Sequence, residues 1–262
     1  EIDGSQGEGG GQMLRSSLAL SMLSNKKLRI KNIRAGRKRP GLRQQHLQCV
    51  LAAAKISAAK VEGASLHSQE LIFQPQAIQA GEYTFCIGTA GSTSLLLQAI
   101  LPALWMQDTP SRLILEGGTH VNWSPTFDFL QWSFAPALRH LGIQLELQLH
   151  RHGFYPRGGG KIEVSIVGTG RPRPMEWIDS APISIVEAES LVCRLPESKG
   201  LDALAVLQQG LGLAEERCSS IHHSESWALG NVLSVKLKRP TITEVITRIG
   251  ERKKSPVRLA EE

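Results

Sequence analysis

Residues 9–23, GGGQMLRSSLALSML, and residues 88–105, GTAGSTSLLLQAILPALW, decide how the chain folds. Each stretch opens with glycines and passes into an apolar pattern of helical spacing, and the two lie about 83 residues apart. The segments downstream of them repeat as well. Leu28–Gly36 (LRIKNIRAG) and Leu113–Thr119 (LILEGGT) are short β-rich runs that end in glycine. A proline-containing turn and a second helix come next, Leu42–Ile56 in one copy and Phe127–Leu141 in the other. Two strands close each copy: Lys60–Gly63 and Leu71–Gln74, then Ile143–His150 and Lys161–Ile166. A glycine loop followed by α–β–α–β–β, written twice, predicts an α+β or α/β domain built from duplicated units. The spacing places Leu14, Leu18, Leu20 and Leu23 near one helical face, and Leu47, Val50, Leu51 and Ala54 near another.

Beyond the repeat, the proline-rich segment 168–182 reads as a linker. Ile183–Leu195 and Val232–Lys238 then read as strands, Gly200–Gly212 as a helix and Thr243–Ile249 as another alternating run, a second and smaller α+β unit. Near the end, Ser255 and Pro256 stand as cap and first position of a last helix. The expected division is a large domain over residues 1–177, with repeats at 1–80 and 83–167. A smaller inserted domain covers 178–250, and 251–262 begins a truncated return to the large domain.

The 262 residues, 41% hydrophobic, suffice for a real core, which excludes a disordered or collagen-like chain. No apolar run is long enough to span a membrane, so no membrane partner is expected. A signal peptide is not expected either, and four scattered cysteines without a CxxC read as free thiols of a reducing cytoplasm. The chain opens at Glu1 without Met, so a leading piece is expected to be missing.

Net charge is +6, but its distribution says more. Between Glu8 and Glu62 lie twelve basic residues and no acidic one, so everything else is net negative. That local positive field predicts a phosphate-bearing or polyanionic partner for the N-terminal part.

Three stretches could carry chemistry. In DGSQGEGGGQMLR, Asp3–Arg15, four glycines in five residues let the backbone approach a ligand, and the helix behind them turns its N–H groups toward it. The spacing is neither a P-loop nor GxGxxG. Glu8 is either a ligand for a nucleotide-borne metal or a partner that orients Arg15. In IRAGRKRPGLRQQHL, Ile33–Leu47, Arg34 and Arg37 flank Gly36, and Arg43, Gln45 and His46 open a helix. Arginine forks suit phosphate oxygens, and Gln45 and His46 can add neutral donors; Lys38 and Arg39 read as solvated charges. In GTAGSTSLLLQ, Gly88–Gln98, the amide of Gln98 interrupts an apolar helix face and must bond either backbone or a ligand. In RHGFYPRGGGK, residues 151–161, Phe154 and Tyr155 among Arg151, Arg157 and Lys161 read either as a stacking surface for bases or as a hairpin turn. The eight histidines show no metal spacing on a helix, and no GxSxG elbow is present.

Taken together, DGSQGEGGGQMLRSSLALS, IRAGRKRPGLRQQHL, GTAGSTSLLLQ, GGT and RHGFYPRGGG resemble the RNA 3′-terminal phosphate cyclase family. The resemblance implies repeated βαβαββ units in a large domain with a smaller inserted α+β domain. It also implies ATP-dependent conversion of an RNA 3′-phosphate into a 2′,3′-cyclic phosphate. The steps would be adenylation of an enzyme histidine, AMP transfer to the RNA phosphate, then attack by the vicinal 2′-OH with loss of AMP. Mapped onto this sequence, Glu8 would lie near the nucleotide and a Mg2+ or Mn2+ ion. Arg15, Glu8 and Gln98 would meet ATP, and Arg34, Arg37, Arg43 and Gln45 the RNA phosphate; Glu8, Arg15, Arg34 and Arg37 form the catalytic set. The family's nucleophilic histidine follows the inserted domain near a motif of the kind EHLADQL. None of the eight histidines here matches it, so the nucleophile is expected to be absent from this chain. Other expected readings are a non-catalytic cyclase-like RNA-binding protein and a small-molecule transferase resembling the enolpyruvyl transferases. A homodimer is left open.

Overall fold

The computed structural model describes residues 1–168, 170–176, 181–224, 227–251 and 254–261. Two of its three four-stranded sheets carry the duplication. In the first unit, β1 (Ile2–Asp3), α1 (Gln12–Ser24), β2 (Leu28–Lys31), α2 (Gln44–Ile56), β3 (Lys60–Glu62) and β4 (Leu71–Gln74) form a sheet of order β1-β2-β4-β3. In the second, β5 (Glu82–Cys86), α3 (Thr93–Trp105), β6 (Ser111–Gly117), α4 (residues 127–140), β7 (Gln144–Arg151) and β8 (Gly160–Val167) form the order β5-β6-β8-β7. The pairing is identical: the first two strands run parallel, Ile2 opposite Ile30 and Tyr83 opposite Leu113, and the remaining pairs are antiparallel. Both units are therefore βαβαββ.

Neither helical layer can bury its apolar stripe alone, so the two units share one core. Helix α3 packs on α1 and α2, and Leu14, Leu18, Phe73, Ile87, Leu97 and Ile100 are all buried there. The α1 stripe runs through Leu14, Leu18 and Met22; the expected members Leu20 and Leu23 face outward, as does Leu51 of α2. A period of 3.6 carries residue 20 well away from the line joining 14, 18 and 22. Helix α4 contains a π-turn at Leu130–Phe134, just before Pro136. Proline has no N–H for the α-helical ladder, and the wider turn absorbs the break.

The third sheet is β10-β9-β11-β12, with β9 at Ile185–Cys193, β10 at Cys218–His223, β11 at Gly230–Lys238 and β12 at Thr243–Ile249. Helix α5 (Ser198–Leu211) connects the parallel pair β9 and β10. The expected linker at 168–182 falls partly outside the described residues. The terminal segment, expected to begin a return to the large domain, forms α6 (Pro256–Glu261). There Ser255 Oγ accepts from Arg258 N at 3.2 Å, and Leu259 packs with Ala203 and Leu233 of the third unit. Phe154 joins the second unit to the third, packing with Leu191, Cys193, Ala228 and Val232.

A buried polar chain crosses the same seam. Thr119 Oγ1 lies 2.8 Å from His120 Nδ1, His120 Nε2 lies 3.4 Å from Asp128 Oδ1, and Ser234 Oγ donates to Asp128 Oδ2 at 3.3 Å. Burial raises the Asp128 pKa, but the hydrogen bonds from His120 and Ser234 outweigh it and leave the carboxyl below its usual range. No helix is long and apolar enough to cross a membrane among the described residues. No disulfide joins any of the four cysteines among the described residues.

Candidate phosphate-binding site

The glycine loop before α1 is covered by the loop after β2. Gly9 lies against the backbone of Gly36, and Arg37 lies over Gly10, where it ion-pairs with Glu8. Gly11 meets the imidazole of His46 so closely that any side chain at residue 11 would displace the ring. The glycines thus do two jobs: they let the loops touch and they let His46 reach the head of α1.

Arg15 is one turn into that helix and only 7% exposed. Its Nε donates to Gln98 Oε1 at 3.2 Å and its Nη2 to Gln12 Oε1 at 2.9 Å. Both partners are neutral, and no carboxylate pairs with Arg15 among the described residues. The Cys49 thiol beneath it gives no compensating charge, since burial pushes its pKa up to about 12. Burial lowers the pKa of Arg15 itself. A buried guanidinium held only by amide oxygens is costly on its own and is stabilised by an arriving anion.

His46 sits among Arg34, Arg15 and Arg43. Burial first, and then repulsion from these three cations in that order, pushes its pKa down to about 3, so the ring is neutral at physiological pH. Its Nδ1 is buried without a hydrogen-bond partner among the described residues. An unpartnered ring nitrogen beside three guanidinium groups is matched to a phosphoryl oxygen in the tautomer that carries the proton on Nδ1.

The expected site residues separate into two kinds. Glu8, Arg15, Arg37 and His46 gather at Gly10 and Gly11. The others build the frame. Arg34, at a φ of +56°, donates from Nη1 to the carbonyls of Arg39 (2.8 Å) and Gly41 (2.9 Å), which folds its own loop. Burial and the nearby Arg43 lower its pKa, and its positive charge acts on His46. Arg43 reaches His67, Nη1 to Nδ1 at 3.3 Å. Gln45 Oε1 accepts from Ser92 N at 2.8 Å, which ties α2 to the start of α3.

Two expectations are corrected. Glu8 orients Arg37 rather than Arg15, because Arg15 is buried and bonded to Gln12 and Gln98 while Glu8 stays on the exposed loop. Gln98 is exposed rather than buried in the apolar face; its amide is held by Arg15. Gln12 had no expected role, although its spacing three residues before Arg15 on a helix is the signal for such a pair. Among the described residues no group of three or more His, Cys, Asp or Glu could hold a metal by itself.

The chain matches a family model described as RNA 3′-terminal phosphate cyclase over residues 6–248. It is similar to proteins named RNA 3′-terminal phosphate cyclase from several bacteria. That of Koribacter versatilis is 44% identical over 261 residues, all of this chain and 74% of the relative. Those of Ectopseudomonas mendocina and Ralstonia nicotianae are each 42% identical over 96% of this chain, which covers 73% and 72% of their lengths.

Proposed function

Because the chain belongs to the RNA 3′-terminal phosphate cyclase family, we propose that it acts in the ATP-dependent closure of an RNA 3′-phosphate to a 2′,3′-cyclic phosphate. The observation that carries this reading is the buried, carboxylate-free Arg15 beside the unpartnered Nδ1 of His46. That pair is a receptor for phosphoryl oxygens. It stands at the N-terminus of α1, whose free N–H groups add further attraction for an anion.

Position supports the following division of roles. Arg15 and Gln98 hold phosphates of ATP at the helix head, with His46 of α2 beside them, and Arg37 meets the RNA 3′-phosphate from the facing loop. Arg34, Arg43 and Gln45 fix that loop and α2, and the two arginines supply positive field toward the RNA phosphate. Charge builds up on the phosphoryl oxygens as a phosphoanhydride is attacked, and preset guanidinium groups stabilise it without reorganising. A magnesium or manganese ion fits as a metal carried by the nucleotide: Mg2+ commonly keeps its waters and takes one or two carboxylates plus substrate phosphates, and Glu8 is one exposed carboxylate at the rim. Bound there, the metal would neutralise phosphate charge.

In the AMP-dependent route that the family resemblance implies, a nitrogen nucleophile first takes AMP from ATP and releases pyrophosphate. AMP then passes to the RNA 3′-phosphate. The vicinal 2′-OH attacks that phosphorus, loses its proton, and AMP departs with the P–O bond it had formed. Splitting the transfer this way replaces one hard displacement with easier ones. None of the roles assigned to this chain's residues is that of the nucleophile.

The test is incubation of the protein with ATP, Mg2+ and an RNA carrying a labelled 3′-phosphate. Cyclisation makes the label resistant to phosphatase, and Arg15→Ala removes that resistance. Label that stays sensitive with the wild-type protein, while RNA binds without regard to its 3′-phosphate, points instead to a non-catalytic RNA-binding relative.

A further inference from the structure

We propose that the cleft between β7 and the β9–β10 edge of the third sheet is a second nucleic-acid site, which holds the body of a single-stranded RNA whose end lies in the phosphate site. The identity of the occupant rests on the cyclase reading; the cleft itself does not. Its volume is about 1040 Å3, and its described lining includes Arg151, His152, Arg194, His222, His223 and Trp227, with no carboxylate. Pockets for one small ligand run from roughly 300 to 1,000 Å3, so this cleft exceeds the needs of a single base.

Its chemistry is that of a strand-binding surface. The Arg151 guanidinium lies 4.7 Å from the centroid of Trp227, and the indole is 57% exposed. A cation backed on an exposed ring offers one face for stacking and a charge for the adjoining phosphate, which is how single strands are gripped without reading sequence. Arg194 projects from the end of β9, exposed, and pairs with no acid among the described residues. His152 and His223 stand 4.8 Å apart. Burial first, then the neighbouring His120 and His223, pushes the His152 pKa down to about 4, which leaves a flat neutral ring on the cleft wall.

Position links this cleft to the phosphate site. Gly159 packs directly on the Trp227 ring, and Gly158 packs on the backbone of Thr89 and Ala90. That second glycine loop is in turn held by Gln45, through Ser92 N and against Gly91. Two loops, the Gly158–Gly159 turn and residues 88–92, therefore lie between the Arg15–His46 group and the Arg151–Trp227 stack. The backbone that joins the two places is neutral, at Gly91, Gly158 and Gly159, and the described cleft lining adds no carboxylate.

The experiment measures binding of a labelled single-stranded RNA of about 12 nucleotides, within the span of a single-strand site. The RNA carries a 3′-hydroxyl, so no reaction is needed. Arg194→Glu and Trp227→Ala are compared with wild type, since neither side chain donates a hydrogen bond to the protein's described backbone. Each variant should weaken binding by about tenfold, and Arg194→Glu should also flatten the salt dependence. Cyclisation of a dinucleotide 3′-phosphate, too short to reach the cleft, should be unchanged in both. Wild-type affinity for the long RNA in both variants, with unchanged thermal melting, overturns the proposal while dinucleotide cyclisation still supports the function. Weakened long-RNA binding with no cyclisation by any protein upholds the cleft and sinks the function instead.

Discussion

Arg15 and Gln98 are hydrogen-bonded to each other, Nε to Oε1 at 3.2 Å, and they stand 83 residues apart, which is the spacing of the internal repeat. The same position in the two copies has diverged, arginine in α1 and glutamine in α3. Where the two helices pack, the duplicated positions meet. The proposed phosphate site thus lies at the junction of the repeats, and each copy supplies one half of the contact.

Replacing Arg15 separates stability from function. The buried guanidinium has no carboxylate partner among the described residues, so Arg15→Met removes a desolvated charge and keeps the packing volume. We expect the variant to be more stable by on the order of 1 kcal/mol in chemical denaturation and to lose phosphate binding and cyclisation. A variant that is both less stable and fully active would show that the arginine serves the core alone.

Arg34 and Arg37 lie three residues apart and should behave differently. Arg34 is spent on two backbone carbonyls of its own loop, whereas Arg37 is exposed and, among the described residues, pairs only with Glu8. Arg34→Ala should cost stability and binding together, on the order of 1–3 kcal/mol each, because two carbonyls lose a charged donor. Arg34→Lys should not restore the loop, since an ammonium does not reproduce the planar guanidinium. Arg37→Ala should leave the melting temperature nearly unchanged, as exposed ion pairs contribute about 0–1 kcal/mol, and should weaken binding of a 3′-phosphate end. Calorimetry of each variant with and without a phosphorylated end checks both halves.

Glu8 provides a test of the metal. Glu8→Gln keeps the size of the side chain but removes its charge. If Glu8 supplies the one protein carboxylate for a nucleotide-borne ion, the variant should need a higher Mg2+ concentration for half-maximal activity, with little change in stability. An unshifted Mg2+ titration would assign Glu8 only to holding Arg37.

Much of the fold was legible in the sequence, for reasons that particular residues make plain. The duplicated units could be read because glycine loops and apolar helices keep their spacing in both copies. Strand β4 matches its expected bounds, Leu71–Gln74, and β12 matches Thr243–Ile249. Strand β1 has two residues, too few to alternate, and β10, CSSIHH, is a polar edge strand with no apolar face to read. In the site, Glu8 and Arg37 stood out because they flank glycines, and Arg15 because it is the cation that follows the glycine run. The use of Gln45 by Ser92, and the exposure of Gln98, depend on how one repeat sits on the other; no local pattern carries that information.

His46 gives the site a pH signature. Its pKa is about 3 in the folded chain against about 6.5 in an unfolded one. Between these values the unfolded chain binds a proton that the folded chain does not, so stability is complete above pH 6.5 and falls as pH drops toward 3. At pH 5 the loss from this group is about 2 kcal/mol, as 1.36 kcal/mol per pH unit implies. His152, pushed down to about 4, acts in the same direction from the other cleft. Denaturation at pH 7 and pH 5 should therefore show a smaller loss for His46→Gln than for wild type. A bound phosphate offsets the positive field of the three arginines around His46 and makes its protonation less costly. Saturating inorganic pyrophosphate should then shrink the wild-type loss toward that of His46→Gln. An identical pH response with and without pyrophosphate, in a protein shown to bind it, would place the anion away from His46.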